Sequence, residues 1–257
     1  MSKVKVGDVF ISNQGCAATV VEYNNSRDLM IEFNDEYRHR KTVEARYLKR
    51  GEFNNPFFRS VHGVGMIGDG EYKTSVKTIS DNGKVRYKRP KVYTIWSSMI
   101  ARCYSVESHK RRPTYKDVTV CPEWHNYQVF AEWYSSKTYE NVDYHLDKDL
   151  LSSASKIYSP ETCCLIPMEV NAAISIHHRS RTDGLVGSFE MPDGRFKASV
   201  SLYGTDKNLG YFETAHEAHQ AYVVAKEAYI KEVANKWRGR IDERVYDALM
   251  AWRVEHE

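Results

Sequence analysis

Polar and apolar side chains alternate strictly near the carboxyl end of the chain, in a pattern that suits contact with nucleic acid. The polar set is Arg195, Lys197, Ser199 and Ser201, and the apolar set is Phe196, Ala198, Val200 and Leu202. Period-two alternation predicts a half-buried β-strand with the two sets on opposite faces. Cations on the exposed face would meet phosphates, and hydroxyls can reach base edges in the major groove. We expect Lys207, on the next strand, to join this face.

The neighbouring residues predict the elements that position this strand. Asp193-Gly194 predicts a tight turn before the strand, and residues 203–206 predict a second turn after it. Thr214 can cap a helix, and Glu217 three residues later completes a capping box. The apolar positions that follow recur at helical spacing, and many of them are small: Ala218, Ala221, Tyr222, Ala225, Ala228 and Tyr229. A sheet can therefore pack close to this helix.

Residues 184–234 resemble a known DNA-binding domain. Gly187-Ser-Phe, Gly194-Arg-Phe-Lys-Ala-Ser-Val and Leu209-Gly-Tyr-Phe-Glu-Thr-Ala-His-Glu-Ala are similar to the Apetala-type (ethylene-response-factor-type) domain. The resemblance implies a three-stranded sheet that packs on one helix and contacts duplex DNA. Bacteriophage HNH homing endonucleases often have such a domain at their carboxyl end, so the resemblance also implies a phage-type protein.

Charge is segregated along the chain. The formal net charge is +3, but residues 73–116 contain twelve Lys and Arg against Asp81 and Glu107. That segment is therefore +10 and the remainder −7, which favours a surface that faces a polyanion. A solvated basic loop is the alternative. The cations of this segment that we expect to contact DNA are Lys88, Arg89, Lys91, Arg111 and Arg112.

Residues 142–177 resemble the strand, loop, strand and helix of an HNH nuclease. Tyr144-His-Leu-Asp147 stands at the family's first strand, residues 158–167 at its loop and second strand, and Met168-Glu-Val-Asn171 at the start of its helix. In the family, a divalent metal such as Mg²⁺ or Mn²⁺ contacts the scissile phosphate, and a His accepts a proton from water.

The HNH resemblance implies roles for three residues. His145 matches the general base, and Asn171 matches the metal ligand on the helix. Asp147 or Asp143 is the candidate second ligand, and Asp147 lies on the same strand face as His145. The chain departs from the family at two positions, with Tyr144 at the first-strand ligand and Thr162-Cys163 at the Asn of the loop. We therefore expect weak or lost nuclease activity.

A second basic cluster lies between the HNH-like unit and the C-terminal sheet. It consists of His177, His178, Arg179 and Arg181. We expect Arg179 and Arg181 to contact phosphates, and an exposed loop is the alternative.

The expected fold class is α+β and modular. Residues 1–58 predict a small β-barrel of chromo or Tudor type, and residues 59–92 a basic linker with a hairpin at Asp81-Asn-Gly83. Residues 93–180 predict two helices followed by the ββα (HNH-like) unit. Pro122 is expected to start the second of these helices. Residues 181–257 predict the three-stranded sheet packed on a helix, plus a C-terminal helix from Ile241. The apolar stripe of that last helix is expected in the core, with a homodimer contact as the alternative.

Composition excludes a membrane-spanning and a disulfide-rich protein. No apolar run approaches the ~20 residues of a membrane helix, and the first residues lack the apolar core of a signal peptide. We expect a cytoplasmic protein, in an infected bacterium if the resemblance holds. The five cysteines form no CxxC pair and predict buried free thiols. Zinc held by Cys103, Cys121 and Cys163 is the alternative.

These observations predict a phage-type protein that binds double-stranded DNA through its C-terminal sheet and basic middle segment, and that has no membrane partner. An active metal-dependent HNH endonuclease is the first alternative. A protein-interaction module that inhibits a host enzyme through the N-terminal barrel is the second.

Overall fold

A computed structural model describes residues 3–80, 82–152, 154–175 and 185–254. They form a mixed α+β fold with several small sheets, which confirms the predicted class. Contacts divide the chain into two compact units, residues 1–132 and 133–257. The predicted boundaries at 58, 92 and 180 stay predictions. Within the described part of the chain, no helix is long and apolar enough to cross a bilayer.

The first unit begins with an antiparallel sheet whose strands pair in chain order. The strands are β1 (Val9–Ile11), β2 (Ala17–Asn25), β3 (Asp28–Phe33) and β4 (Arg40–Val43). Helix α1 (Ala45–Lys49) follows, and its Leu48 packs in the core of this sheet together with Phe53.

The predicted closed barrel is wrong for the described residues, whose sheet is open. A barrel closes only when its first and last strands pair. Here β1 and β4 are the two edges, and the chain turns into α1 instead of adding a fifth strand. Side chains from α1 and the segment after it complete the core, so the apolar face is covered without closure.

A two-stranded antiparallel ribbon follows in the first unit. Strand β5 (Val76–Ile79) pairs with β6 (Val85–Lys88), and the predicted hairpin is confirmed. Gly83 has a φ of +75° in the turn and donates its N–H to the carbonyl of Ser80 at 2.7 Å. This left-handed backbone is the reason that the turn needs glycine.

Three helices follow the ribbon, and the third continues past residue 132, where the first unit ends. They are α2 (Lys91–Tyr104), α3 (Val106–Arg111) and α4 (Tyr127–Lys137), with β7 (Thr119–Val120) and short 3-10 turns at Pro113–Tyr115 and Pro122–His125. Helical spacing along the sequence predicts one face with Ile95, Trp96, Met99, Ile100 and Cys103; helix α2 buries the last four, and Ile95 is half-buried.

The predicted second helix is not continuous from Pro122. The backbone at residues 125–127 pairs with Met66, whose N–H donates to the carbonyl of His125 at 2.9 Å and whose carbonyl accepts from Tyr127 at 3.0 Å. This pairing takes Asn126 out of helical geometry, so that α4 begins at Tyr127.

The second unit contains a short ββα arrangement. Its elements are β8 (Tyr144–Asp147), β9 (Ile157–Tyr158), β10 (Cys164–Pro167) and α5 (Met168–Ile174). Strands β8 and β10 are antiparallel, with His145 opposite Ile166 and Asp147 opposite Cys164. The observed order agrees with the predicted strand, loop, strand and helix, and membership of the HNH family stays a prediction.

The C-terminal sheet has the order β11-β12-β13. Its elements are β11 (Ser188–Glu190), β12 (Phe196–Leu202) and β13 (Thr205–Phe212), followed by α6 (Ala215–Trp237) and α7 (Glu243–Ala251). The capping box of α6 is present as predicted, with Thr214 and Glu217 each bonded to the other's backbone N–H.

One core joins the ββα arrangement to the last two helices of the second unit. Its buried members are Cys164, Ile166, Val170, Ala173, Tyr229, Ile230, Val233, Ala234, Val245 and Leu249. Core packing of the C-terminal helix is thus confirmed, although α7 begins at Glu243 and not at the predicted Ile241. The five cysteines are free thiols, four of them buried as expected and Cys16 half-buried, and burial raises the pKa of Cys163 to about 12.

Candidate nucleic-acid interface

The inner face of the C-terminal sheet packs on α6. Ala198 and Val200 are buried, and Val200 shares a cluster with Tyr222 of α6. Gly187, just before β11, lies so close to Tyr222 that a Cβ atom there would be 2.2 Å from the ring carbon Cγ. The apolar half of the predicted alternation therefore faces α6, and only a glycine lets the chain approach it this closely.

The outer face follows from the strand register, because directly paired residues of antiparallel strands share a face. Lys197 pairs with Phe189 on one side and Tyr211 on the other. Ser199 pairs with Asn208. The polar half of the predicted alternation thus shares its face with an aromatic ring and an amide that the sequence argument missed. Alternation alone would put Asn208 and Tyr211 on opposite faces, and the register shift between Ala198 and Ser199 brings them to the same one.

Arg195 is exposed and lies against two neighbours. Its side chain is 52% exposed. Its Nε and Nη2 donate to the Asp193 carboxylate at 2.9 and 2.7 Å, and its guanidinium lies 5.2 Å from the Tyr211 ring centre. The hydrogen bonds from Arg195 lower the pKa of Asp193. A phosphate that binds Arg195 must therefore compete with this carboxylate.

The strand register does not place Lys207 on the outer face. A β-bulge lies between Ala198 and Ser199, and beyond it Lys207 pairs with Val200 and Asp206 pairs with Ser201. Val200 is buried against α6, so the position of Lys207 belongs to the inner face. Its side chain is exposed at the edge strand, and the carboxylate of Asp206 takes the outward position instead.

In the ββα arrangement, His145 lies beside an acidic residue. Its side chain is 42% exposed, and its Nε2 lies 3.9 Å from Oδ2 of Asp143. A histidine at this distance from a carboxylate is a weak ion pair when protonated.

The carboxylate of Asp147 is hydrogen-bonded within the turn that follows β8. Its Oδ1 accepts backbone N–H groups of Asp149 at 3.0 Å and Leu150 at 2.7 Å, which closes the turn after β8. Burial raises the pKa of its carboxyl. Asn171 lies on α5 and is partly buried, and its backbone carbonyl accepts a hydrogen bond from the Ser175 hydroxyl at 2.7 Å.

The ligand roles of Asp147 and Asn171 toward Mg²⁺ or Mn²⁺ stay predictions. Such ions need several oxygen ligands that converge, and one oxygen of Asp147 accepts hydrogen bonds from two backbone amides. Over the described ranges, no group of three or more His, Cys, Asp or Glu side chains could hold a metal ion.

The predicted basic residues of the first unit are exposed. Lys88 ends β6, Lys91 begins α2, and Arg111 ends α3. The other two are Arg89, whose guanidinium lies 5.9 Å from the Tyr93 ring centre, and Arg112, which follows α3. Arg179 and Arg181 lie outside the described residues.

Comparison of the chain with protein-family models, curated proteins and solved structures found no match. The Apetala-type and HNH resemblances thus depend on the quoted residues alone.

Proposed function

We propose that this protein binds double-stranded DNA, with the outer face of the C-terminal sheet in the major groove and the cations of residues 73–116 on phosphates. One observation carries the proposal. The sheet buries one face on α6, while Lys197, Ser199 and Ser201 share the opposite face. Arg195, just before β12, lies over Tyr211 of that opposite face and is more than half exposed.

The dimensions of the sheet support this mode of binding. Three strands spaced about 4.8 Å apart span about 10 Å between their axes, close to the ~12 Å width of the major groove. Successive outward residues on β12 are about 6.8 Å apart, twice the ~3.4 Å rise per base pair. A strand that lies along the groove would therefore place Arg195, Lys197 and Ser199 near every second base pair.

The sheet alone supplies little electrostatic affinity. Its outer face has two cations, Arg195 and Lys197, and the carboxylate of Asp206 partly offsets them. Two phosphate contacts predict a slope of about −1.8 for log K against log salt, whereas seven contacts, with the five exposed cations of the first unit, predict about −6. The slope therefore distinguishes binding by the sheet alone from binding by both units.

The test is binding of a fluorescent duplex by the full chain in EDTA, between 50 and 200 mM KCl. The variant Arg195→Gln with Lys197→Gln should bind more weakly, with a slope shallower by about 1.8. The control Lys231→Gln with Arg238→Gln removes the same charge from α6 and its end, and should retain nearly all of the wild-type affinity. An equal loss of duplex affinity in both variants would mean that only net charge matters, and it would refute the sheet interface.

Catalysis is not part of the proposal. Asp147 closes a turn with its carboxylate, and His145 has Asp143 within 3.9 Å. We assign His145, Asp147 and Asn171 to the scaffold that holds β8, β10 and α5.

A further inference from the structure

We propose that the ribbon formed by β5 and β6 is a second DNA-binding arm. The side of the ribbon that carries Tyr87 would lie against the bases of a major groove. This inference rests on the proposed function and assigns to the ribbon a role that differs from phosphate neutralisation. It concerns residues 76–88, all in the first unit.

The ribbon has no buried face. All eight residues of its two strands are exposed, including Ile79 at 68%, Val85 at 45% and Tyr87 at 74%. A two-stranded hairpin without a packed face is marginally stable by itself in water. Large apolar side chains exposed together mark an interaction surface, because their burial on a partner is favourable.

The register separates the ribbon into two different faces. Lys77 pairs with Tyr87, and Ile79 pairs with Val85, so one face combines apolar side chains with a single cation. Thr78 pairs with Arg86 and Val76 pairs with Lys88, so the other face has two cations at its β6 positions. The first set is called the Tyr87 face, and the second the Arg86 face.

Charge identifies the occupant as a polyanion. Residues 76–89 contain five cations against Asp81, for a formal charge of +4. The cations are Lys77, Lys84, Arg86, Lys88 and Arg89. An apolar patch alone would fit a protein partner, but apolar side chains within so dense a positive field fit nucleic acid better.

The shape of the ribbon favours duplex DNA. Two strands about 4.8 Å apart fit a major groove about 12 Å wide, which admits a two-stranded ribbon. With the Tyr87 face toward the bases, Ile79 and Val85 can contact thymine methyl groups. The long side chains of Arg86 and Lys88 can then extend from the opposite face to the phosphates at the groove walls.

Two variants of the full chain separate these contributions. Tyr87→Ser with Ile79→Ser removes apolar contact, and should weaken duplex binding roughly tenfold with an unchanged salt slope. Arg86→Gln with Lys88→Gln should make the slope shallower by about 1.8. The control Val106→Ser with Val224→Ser changes two side chains of similar exposure elsewhere, at 70% and 68%, and should bind as wild type. Since every altered residue is exposed, all three double variants should give the circular dichroism spectrum of the wild type.

The outcomes distinguish this inference from the proposed function. If both ribbon variants bind duplex as wild type while the Arg195 and Lys197 variant loses affinity, the ribbon inference is overturned and the proposed function stands. The reverse pattern supports the ribbon and overturns the sheet interface. If the Tyr87 variant loses affinity only for a single-stranded oligonucleotide, the groove assignment is overturned, and a wild-type chain that binds no duplex overturns both.

Discussion

The amine of Lys226, on α6, is buried where its charged form is poorly solvated. This burial leads to a quantitative prediction about stability. The residue is 4% exposed, and its Nζ donates to the carbonyl of Ser175 at 3.2 Å. It lines a cavity together with Val186 and with Tyr222 of the same helix. Burial lowers the pKa of Lys226 from 10.5 to about 8.

The sign of the effect follows from proton binding. Between pH 8 and pH 10.5 the unfolded chain retains the proton on Lys226 while the folded chain has lost it, so the unfolded state binds more protons. The free energy of unfolding therefore rises with pH through this window. A difference of roughly 2.5 pKa units corresponds to about 3 kcal/mol over the whole window, at about 1.4 kcal/mol per unit.

The perturbation is Lys226→Met, which keeps a side chain of similar length and removes the charge. At pH 7 the variant should be more stable than wild type by roughly 1–3 kcal/mol, because the desolvation penalty disappears and only a hydrogen bond of about 1–2 kcal/mol is lost. Its advantage should shrink as the pH rises from 8 toward 10.5. Urea unfolding of both proteins at pH 7, 8, 9 and 10 measures this difference.

The comparison isolates Lys226, because all other titrating groups are common to the two proteins. The control is Lys207→Met, which makes the same substitution at an exposed position of β13 and against which the pH dependence of Lys226→Met is compared. A difference between Lys226→Met and wild type that stays constant from pH 7 to pH 10 would refute the reasoning, since the buried amine would then have an ordinary pKa.

Three further predictions concern the C-terminal sheet and its helix. Asp193→Asn should raise duplex affinity up to roughly fivefold, because the surface ion pair no longer competes for Arg195; an equal gain from Asp247→Asn would point to net charge instead. Gly187→Ala should lower the free energy of unfolding by at least about 2 kcal/mol in urea, since its Cβ would overlap Tyr222 and its φ is +82°; an unchanged midpoint would contradict the packing. Thr214→Ala should cost about 1 kcal/mol by breaking the capping box, whereas Thr205→Ala, outside any cap, should cost less.

Local patterns predicted the elements whose energetics are local. The alternation of residues 195–202 predicted β12 and its two faces, because one buried face requires period two. Thr214 and Glu217 predicted the start of α6, since a capping box satisfies the first backbone N–H groups with side chains only three residues apart. The buried face of α2 followed from helical spacing in the same way.

Pairing between distant segments decided the rest. Met66 bonds the backbone at residues 125 and 127 and delays α4, although the local sequence predicts a helix from Pro122. The N-terminal sheet stays open because α1 and Phe53 cover its core. Neither contact has a signature within the segment that it changes.

The sequence by itself determined which residues alternate, where α6 begins and where positive charge concentrates, because each of these depends on neighbours along the chain. Only the tertiary structure decided which side chains share a face. Without the bulge at Ala198 and Ser199, Lys207 would pair with Ser201 on the outer face; with it, Lys207 pairs with Val200. One additional residue in a strand reverses every side chain beyond it, and pairing across the sheet determines where that residue lies.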